Sequence, residues 1–171
     1  MYPIGRENAQ VTEVHEMDNS GTGKSALGPL AQIGIVVKDV DKVVEYYSST
    51  FGIGPWEIQE GESESKVGRE TFVYKTKVAL AYMGAIALEL FEIKEGRSPV
   101  HAEFLDRDRE GVHHFGFYVT GDERDKIIAD VATRGVGVFQ ESHIKPDRRT
   151  TFLDTAKTGG IFFELIERRQ K

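Results

Sequence analysis

Two stretches of this 171-residue chain repeat each other, and the repeat limits the possible fold more than any other feature. The segment QIGIVV at 32–37, followed by DVDKVVEYY, resembles HFGFYV at 114–119, followed by GDERDKIIAD. Likewise ALELFE at 87–92 resembles FFELIE at 162–167. Repetition of this kind is typical of duplicated structural units that pack against each other. Each copy also carries an amide or imidazole and a carboxylate at matching places, so the repeat predicts the fold and a shared site together.

The first copy has the pattern of a βαβββ module. Residues 32–37 alternate like a strand with both faces largely apolar, and the spacing that follows predicts a helix capped by Asp39 or Asp41. The charged stretch at 57–70 is typical of a loop or ragged edge strand. Residues 71–93 predict a two-stranded hairpin that turns near its middle.

The second copy follows the same order. HHFGFYV predicts a strand, Asp122 can cap a helix that stops at Gly135, and GVGVFQES, RRTTFLDT and IFFELIE predict three more strands. Three consecutive strands lack the intervening helices that a doubly wound parallel sheet needs. The sequence therefore predicts an α+β fold made of two tandem βαβββ modules.

The expected divisions of the chain are an N-terminal extension, a first module, a connector and a second module, at 1–28, 29–96, 97–110 and 111–171. The extension is polar and rich in Gly and Ser, a composition typical of disorder. Its GTGKS segment resembles the end of a phosphate-binding loop. However, Asp18 stands where that motif needs its first glycine, so nucleotide binding is not favoured. In the connector, residues 99–106 have the pattern of a short helix.

Composition narrows the function classes. The net charge is −6 and no basic cluster occurs, which argues against nucleic acid or an anionic membrane as the main partner and leaves a small-molecule substrate as the expected one. The chain has no Cys, so disulfides, thiolate metal sites and Cys nucleophiles are excluded. No apolar run approaches the roughly 20 residues of a membrane span. A cytoplasmic protein is the expectation, and any metal must be bound by His, Glu, Asp or Gln.

Glycines accompany the candidate nitrogen and amide ligands. On a strand, Gln32 shares a face with Gly34, and His114 shares one with Gly116. A glycine two residues from a ligand leaves room for another group to come close. By the same alternation, His113 is expected to point to the opposite face, which makes it the weaker candidate.

The two repeated glutamates lie in apolar strands, where a carboxylate without a partner is costly to bury. One divalent metal bound by Gln32, Glu89, His114 and Glu164 would satisfy both. Taken singly, each residue is more often structural, and their match between the copies is what favours a site. Oxygen donors with one imidazole suit Zn, Mn, Co, Ni, Fe or Mg, and the donor types alone compel no choice among these metals.

Across about residues 30–168 the chain resembles the vicinal oxygen chelate superfamily, through QIGIVVKDVDKVVEYYSSTFGIGPW, IALELFEIKEGRSPV, EGVHHFGFYV and GGIFFELIE. That superfamily includes glyoxalase I, methylmalonyl-CoA epimerase, extradiol dioxygenases and bleomycin-resistance proteins. The resemblance implies paired βαβββ modules that form a cupped mixed sheet around one metal. It places the metal ligands at Gln32, Glu89, His114 and Glu164, and it implies a homodimer.

The resemblance also bears on the reaction. Related epimerases usually have His at the first ligand position and often Gln at the second, whereas the order Gln, Glu, His, Glu resembles the zinc site of eukaryotic glyoxalase I. The separate glutamate base of the epimerases would fall near Ala79, and no acid lies between Glu70 and Glu89. The implied mechanism is therefore that Glu164 or Glu89, itself a metal ligand, takes a proton from the carbon next to a carbonyl.

The leading functional hypothesis is a metal-dependent isomerase, epimerase or lyase that enolises a small carbonyl substrate. Candidate substrate-binding residues are Arg97, Tyr118, Lys145, Arg148 and Arg149, although a solvated loop is the more common role for such charged residues. Two alternatives stay open. A non-catalytic ligand-binding protein is one, and an iron-dependent dioxygenase, which needs two His and one carboxylate, is the less favoured other.

Overall fold

Both copies of the repeat form four-stranded units with a helix after the first strand. The computed structural model of the protein describes residues 25–144 and 148–167. The elements in chain order are β1 (Gln32–Val36), α1 (Val40–Phe51), β2 (Glu57–Val67), β3 (Glu70–Met83), β4 (Ile86–Gly96), α2 (Pro99–Asp106), β5 (Gly111–Val119), α3 (Gly121–Ala132), β6 (Val138–Ile144), β7 (Arg148–Leu153) and β8 (Phe162–Glu167). The predicted extension up to residue 24, with most of its GTGKS segment, and Lys145 lie outside the described residues.

The eight strands close into one barrel, in the order β1-β4-β3-β2-β6-β7-β8-β5. In each half the first strand pairs in parallel with the last, β1 with β4 and β5 with β8, and the other neighbours are antiparallel. The halves join through the antiparallel pairs β1–β5 and β2–β6. The predicted α+β fold of paired βαβββ modules is confirmed, and the β2–β6 pairing closes the expected cup.

The charged stretch after α1 is more regular than predicted. It forms β2, which pairs with β3 along its whole length and with β6 over residues 63–66. Ser63 and Ser65 are buried, whereas the glutamates beside them are exposed. The strand alternation is hard to see in the sequence because small hydroxyls, instead of apolar side chains, occupy the inner positions.

Helix α1 begins and ends where the sequence predicts. The Asp39 carboxylate accepts a hydrogen bond from a first-turn amide at 3.0 Å, and Gly52 ends the helix in the left-handed conformation with φ of 67°. The helix packs Val40 against Ala79 and Leu90 on the outer side of the sheet. Helix α1 therefore covers its own half of the barrel from outside.

Helix α3 differs from the prediction at both ends. Thr120, not Asp122, is the N-cap, because Thr120 and Glu123 form a capping box in which each side chain accepts from the other's backbone amide. Asp122 lies in the first turn instead. The helix ends at Ala132, three residues before the predicted stop at Gly135.

Helix α3 packs against three strands of the second half. An apolar cluster joins the helix to β5, β7 and β8, and its buried members are Phe117, Val119, Ile127, Leu153 and Leu165.

The predicted helix at 99–106 is confirmed as α2. Among the described residues, no helix combines the length and apolarity needed to cross a membrane.

A buried guanidinium ties α3 to the barrel wall. Arg124 is only 4% exposed, its Nε donates to the Thr151 hydroxyl at 2.9 Å, and its guanidinium pairs with Glu141 on β6. Glu141 also accepts from Arg149 on β7 at 3.0 Å. Burial alone would raise the pKa of Glu141, but Arg149 and Arg124 outweigh it and lower that pKa. The carboxylate is therefore stabilised in its charged form.

The Glu141→Gln substitution should lower the free energy of unfolding by about 1–2 kcal/mol at pH 7, because the buried Arg124 loses one of its two carboxylate partners. The other partner, Asp125, is largely exposed, so solvent screens its charge. Chemical denaturation measures the change. Glu64→Gln, at an exposed position on β2, is the matched control and should stay near wild type.

The loss of stability caused by Glu141→Gln should depend on pH. A carboxyl with a lowered folded pKa contributes stability above its ordinary value of 4.5 and loses that contribution as pH falls through the folded value. The stability difference between wild type and Glu141→Gln should therefore shrink in acid. A difference that grows as pH falls below 4.5 would contradict the ion pair.

Candidate metal centre

The four predicted ligands meet inside the barrel of a single chain. Gln32, Glu89, His114 and Glu164 are 3%, 7%, 1% and 6% exposed, and all four line the same cavity. The cavity is open to solvent, and the unoccupied space in it and at its mouth, open solvent included, is about 510 Å³. Residues far apart in the sequence are thus brought together on four strands, β1, β4, β5 and β8.

His114 lies between the two carboxylates. Its Nε2 is 3.0 Å from Oε2 of Glu89 and 3.4 Å from Oε2 of Glu164. Atoms of these three side chains fall within the spacing that one metal ion requires. The amide of Gln32 lines the same cavity and offers a fourth donor.

Gly34 and Gly116 leave room for these ligands, as the sequence predicts. Each glycine, however, makes room for the ligand of the other copy of the repeat. Strand pairing places Gln32 opposite Gly116 and Gly34 opposite His114. A Cβ atom on Gly34 would lie 2.0 Å from Cε1 of the His114 ring, and one on Gly116 would lie 2.9 Å from Cβ of Gln32. Only glycine fits at either position while its neighbour keeps this place.

The two buried carboxylates at the site need a compensating positive charge. Burial alone would lower the pKa of His114, but Glu164 and the hydrogen bond with Glu89 outweigh it and raise that pKa. Burial and the charge of Glu89 raise the pKa of Glu164. Two carboxylates this close in a buried cavity are stabilised by a shared proton or by a divalent ion. One imidazole, two carboxylates and an amide oxygen form a donor set that fits such an ion.

His113 does not lie on the opposite face from His114 as predicted, but its ring lies against the far side of His114 and lines a second cavity with Phe104 and Phe162 instead of the metal cavity. The register between β1 and β5 shifts after Gly34, so that Ile35 pairs with Val112 and His113 is an extra residue in a β-bulge. A bulge interrupts the alternation of faces. His113 is 2% exposed, and its Nδ1 lies 3.1 Å from Nδ1 of His114.

Sequence reasoning missed a third histidine, His101. It lies on α2, is 2% exposed, lines the cavity and stacks on Phe91 with ring centroids 4.1 Å apart. Its Nδ1 is 2.8 Å from the Ser98 hydroxyl, whereas its Nε2 has no hydrogen-bond partner within the described part of the chain. Burial lowers the pKa of His101 well below its ordinary value. No local pattern marks this residue, because only the fold brings the connector helix to the cavity.

One predicted substrate-binding residue reaches the cavity. Arg148 contributes to its wall, and no other Arg or Lys among the described residues does so. Arg149, the next residue, instead pairs with Glu141 at 3.0 Å. Arg97 is exposed and forms two hydrogen bonds with Asp106, of 3.2 and 2.7 Å.

Tyr118 and the position expected for a separate base also lie elsewhere. Tyr118 lines a surface cavity beside α3, together with Lys126 and Ile127. Ala79 faces α1 in the apolar cluster with Leu90, and its neighbour Val78 lines the metal cavity instead. Since valine cannot exchange protons, position 78 supplies no acid or base, and the ionisable side chain that β3 adds to the cavity wall is Tyr74.

Comparison with known proteins assigns the fold to a family. The model of the glyoxalase/bleomycin resistance protein/dioxygenase superfamily matches residues 31–153. The chain belongs to this superfamily. The match begins at β1 and ends with β7, so it spans both halves of the barrel. No curated protein matches the chain significantly.

Solved structures share the fold of this superfamily member. Methylmalonyl-CoA epimerase from Mycobacterium tuberculosis is 22% identical, with a TM-score of 0.61 over 87% of this chain and 93% of that one. The Streptomyces coelicolor epimerase in complex with 2-nitronate-propionyl-CoA is 24% identical, with a TM-score of 0.60 over 81% and 93%. A hypothetical protein from Bacillus halodurans is 22% identical, with a TM-score of 0.61 over 84% and 96%. At these identities the similarity establishes the fold.

Replacing Gly34→Ala should weaken binding of Co²⁺ at least tenfold, because the added Cβ displaces the His114 ring. Isothermal titration calorimetry measures the affinity. The control is Gly61→Ala on β2, where an added Cβ meets no atom within 4 Å. Wild-type affinity in Gly34→Ala, with both variants folded by circular dichroism, would contradict His114 as a ligand.

Proposed function

We propose that this superfamily member is a metal-dependent isomerase, epimerase or lyase that enolises a small carbonyl substrate. The observation that carries the proposal is the placement of His114 Nε2 within 3.0 and 3.4 Å of two buried carboxylates in the barrel cavity. In the proposed roles, Gln32, Glu89, His114 and Glu164 hold a divalent cation. When bound, the cation supplies Lewis-acid stabilisation of negative charge on a substrate oxygen. Zinc is slightly favoured, because the order Gln, Glu, His, Glu resembles the zinc site of eukaryotic glyoxalase I.

Glu164 is the proposed proton acceptor. Its pKa is raised by burial and by the charge of Glu89, and a carboxylate with a raised pKa is a stronger base. Glu89 is held more closely by His114, at 3.0 Å against 3.4 Å for Glu164. The Thr150 hydroxyl and Arg148 interact with the Glu164 carboxylate and favour its charged form before it takes the proton.

The side chains that line the cavity favour an oxygen-rich, anionic substrate. Hydroxyl side chains line it, contributed by Ser63, Tyr74, Thr76, Ser142 and Thr150. Arg148 supplies a positive charge for a carboxylate or phosphate group. One similar epimerase structure, 25% identical to this chain, contains methylmalonyl-CoA. A CoA thioester is therefore the first substrate class to test, followed by a thiohemiacetal or a sugar-like ketone.

The contacts of His113 disfavour a ring-cleaving dioxygenase. Such an enzyme needs a second imidazole on the metal. The two nitrogens of His113 are already engaged, one with the Val100 carbonyl at 2.9 Å and the other with His114 at 3.1 Å. The donor atoms that come together at the two carboxylates include one imidazole, that of His114, whereas His101 groups with His113 and His114 instead. One imidazole with two carboxylates suits enolisation better.

Replacing Glu164→Gln should reduce proton exchange at the substrate carbon at least 10³-fold, because the amide cannot accept the proton. Exchange of the α-proton of methylmalonyl-CoA, or of a glutathione thiohemiacetal, with deuterated water is followed by NMR. Glu89→Gln is the matched comparison, since it removes the same charge from the same site and keeps an oxygen ligand. Equal losses in both variants would contradict Glu164 as the specific base.

Protein purified without chelator should contain at least about half an equivalent of a divalent metal per chain, because four buried donors line one cavity. Inductively coupled plasma mass spectrometry measures it. A lower content, together with binding of a small apolar ligand, would favour the non-catalytic binding alternative.

The predicted homodimer and cytoplasmic location stay predictions.

A further inference from the structure

A chain of hydrogen bonds runs from the connector helix to the candidate metal ligand. Nε2 of His113 lies 2.9 Å from the backbone carbonyl of Val100 on α2, and Nδ1 of His113 lies 3.1 Å from Nδ1 of His114. Nε2 of His114 then faces Glu89 and Glu164. Both rings are almost fully buried, so solvent does not offer alternative partners.

The first contact fixes the proton positions in the chain. A carbonyl oxygen only accepts hydrogen bonds, so Nε2 of His113 must carry a proton. In a neutral imidazole the other nitrogen is then an acceptor, and Nδ1 of His113 requires a donor. The donor is Nδ1 of His114. His114 therefore carries a proton on Nδ1. The 3.0 Å hydrogen bond between its Nε2 and Oε2 of Glu89 holds a second proton, on one partner or the other, and a divalent cation would take the place of that proton.

We propose that His113 is a positioning residue that fixes the tautomer and ring orientation of His114, so that the Nε2 lone pair of His114 is held ready for a divalent cation. The inference rests on the proposed metal site and adds a residue that neither the ligand set nor the reaction includes. Metal-binding histidines generally need a partner for the second nitrogen, and losing that partner typically costs 10–100-fold in metal affinity. Here the partner is a neighbouring imidazole instead of the common carboxylate or carbonyl.

The surroundings of His113 are built to hold it in this role. The bulge in β5 turns two consecutive histidines toward each other, which a regular strand would separate onto opposite faces. The Phe162 ring lies beside the His113 ring, with centroids 5.1 Å apart, and the Phe104 ring meets it edge-on, with centroids 5.5 Å apart. Phe152 meets the His114 ring edge-on at 5.3 Å. Aromatic contacts therefore restrain both ring planes.

The carbonyl at the far end of the chain is also fixed. The Val100 amide donates to Oε1 of the fully buried Gln140 at 3.0 Å, which anchors the start of α2 to β6. The amide nitrogen of Gln140 donates to the hydroxyls of Ser98 and Ser142, both at 3.1 Å. The connector helix thus contributes to the metal site through its backbone, without supplying a ligand.

Two substitutions of similar size separate the hydrogen bond from simple packing. In His113→Asn, the side-chain oxygen can take the place of Nδ1 and accept from His114. In His113→Leu, no acceptor remains and the His114 Nδ1 proton is left buried and unpaired. Titration with Co²⁺ should show a 10–100-fold loss of affinity in His113→Leu and a loss of less than about threefold in His113→Asn. Equal losses in the two variants would overturn the inference.

The tautomers can be read directly from protein labelled with ¹⁵N in its histidines. In the wild type, NMR should show His113 protonated on Nε2 and unprotonated on Nδ1. It should show His114 protonated on Nδ1. Both results are expected before and after addition of zinc. A proton on Nδ1 of His113 would overturn the inference. The metal-free spectrum tests the hydrogen-bond chain even if no enzymatic reaction is found. Wild-type protein that binds neither Co²⁺ nor zinc would overturn both the inference and the proposed function, whereas tight metal binding without turnover would count against the function alone.

Discussion

The pairing of β1 with β5 holds the molecule together at the point where its chemistry is concentrated. This pair joins the two halves, and its register sets Gln32 against Gly116 and Gly34 against His114. Each half supplies a ligand and a space for the ligand of the other half. The duplication therefore produces one shared site instead of two separate ones, and neither half contains the complete set of donors.

Burial of charge is the second constraint. Glu89 and Glu164 lie on strands whose other inward positions are largely apolar, and a carboxylate pair in that setting requires positive charge. His114 meets both carboxylates, and its own Nδ1 is satisfied by His113. The arrangement links the outer connector helix, the bulged strand and the cavity in one polar network. That network passes between aromatic rings around the two histidines and opens into a cavity lined in part by hydroxyl groups.

Much of the fold was predictable because local sequence patterns report it directly. The repeat gave the order of elements in both modules, and Asp39 and Gly52 marked the ends of α1 through ordinary capping chemistry. Predictions failed where a second pattern competed. At α3, the capping box of Thr120 with Glu123 prevailed over Asp122, and in β2 the buried serines concealed a regular strand.

The sequence by itself determined which residues stand at equivalent places in the two copies, and so proposed Gln32, Glu89, His114 and Glu164 as a set. Tertiary structure alone decided that they share one cavity within a single chain and that Arg148 reaches it while Arg149 does not. It also placed His101 from the connector helix at the cavity and set the His113 ring against Nδ1 of His114. The physical reason is that strand register, bulges and the docking of α2 depend on partners distant in sequence, which the period of a single strand does not report.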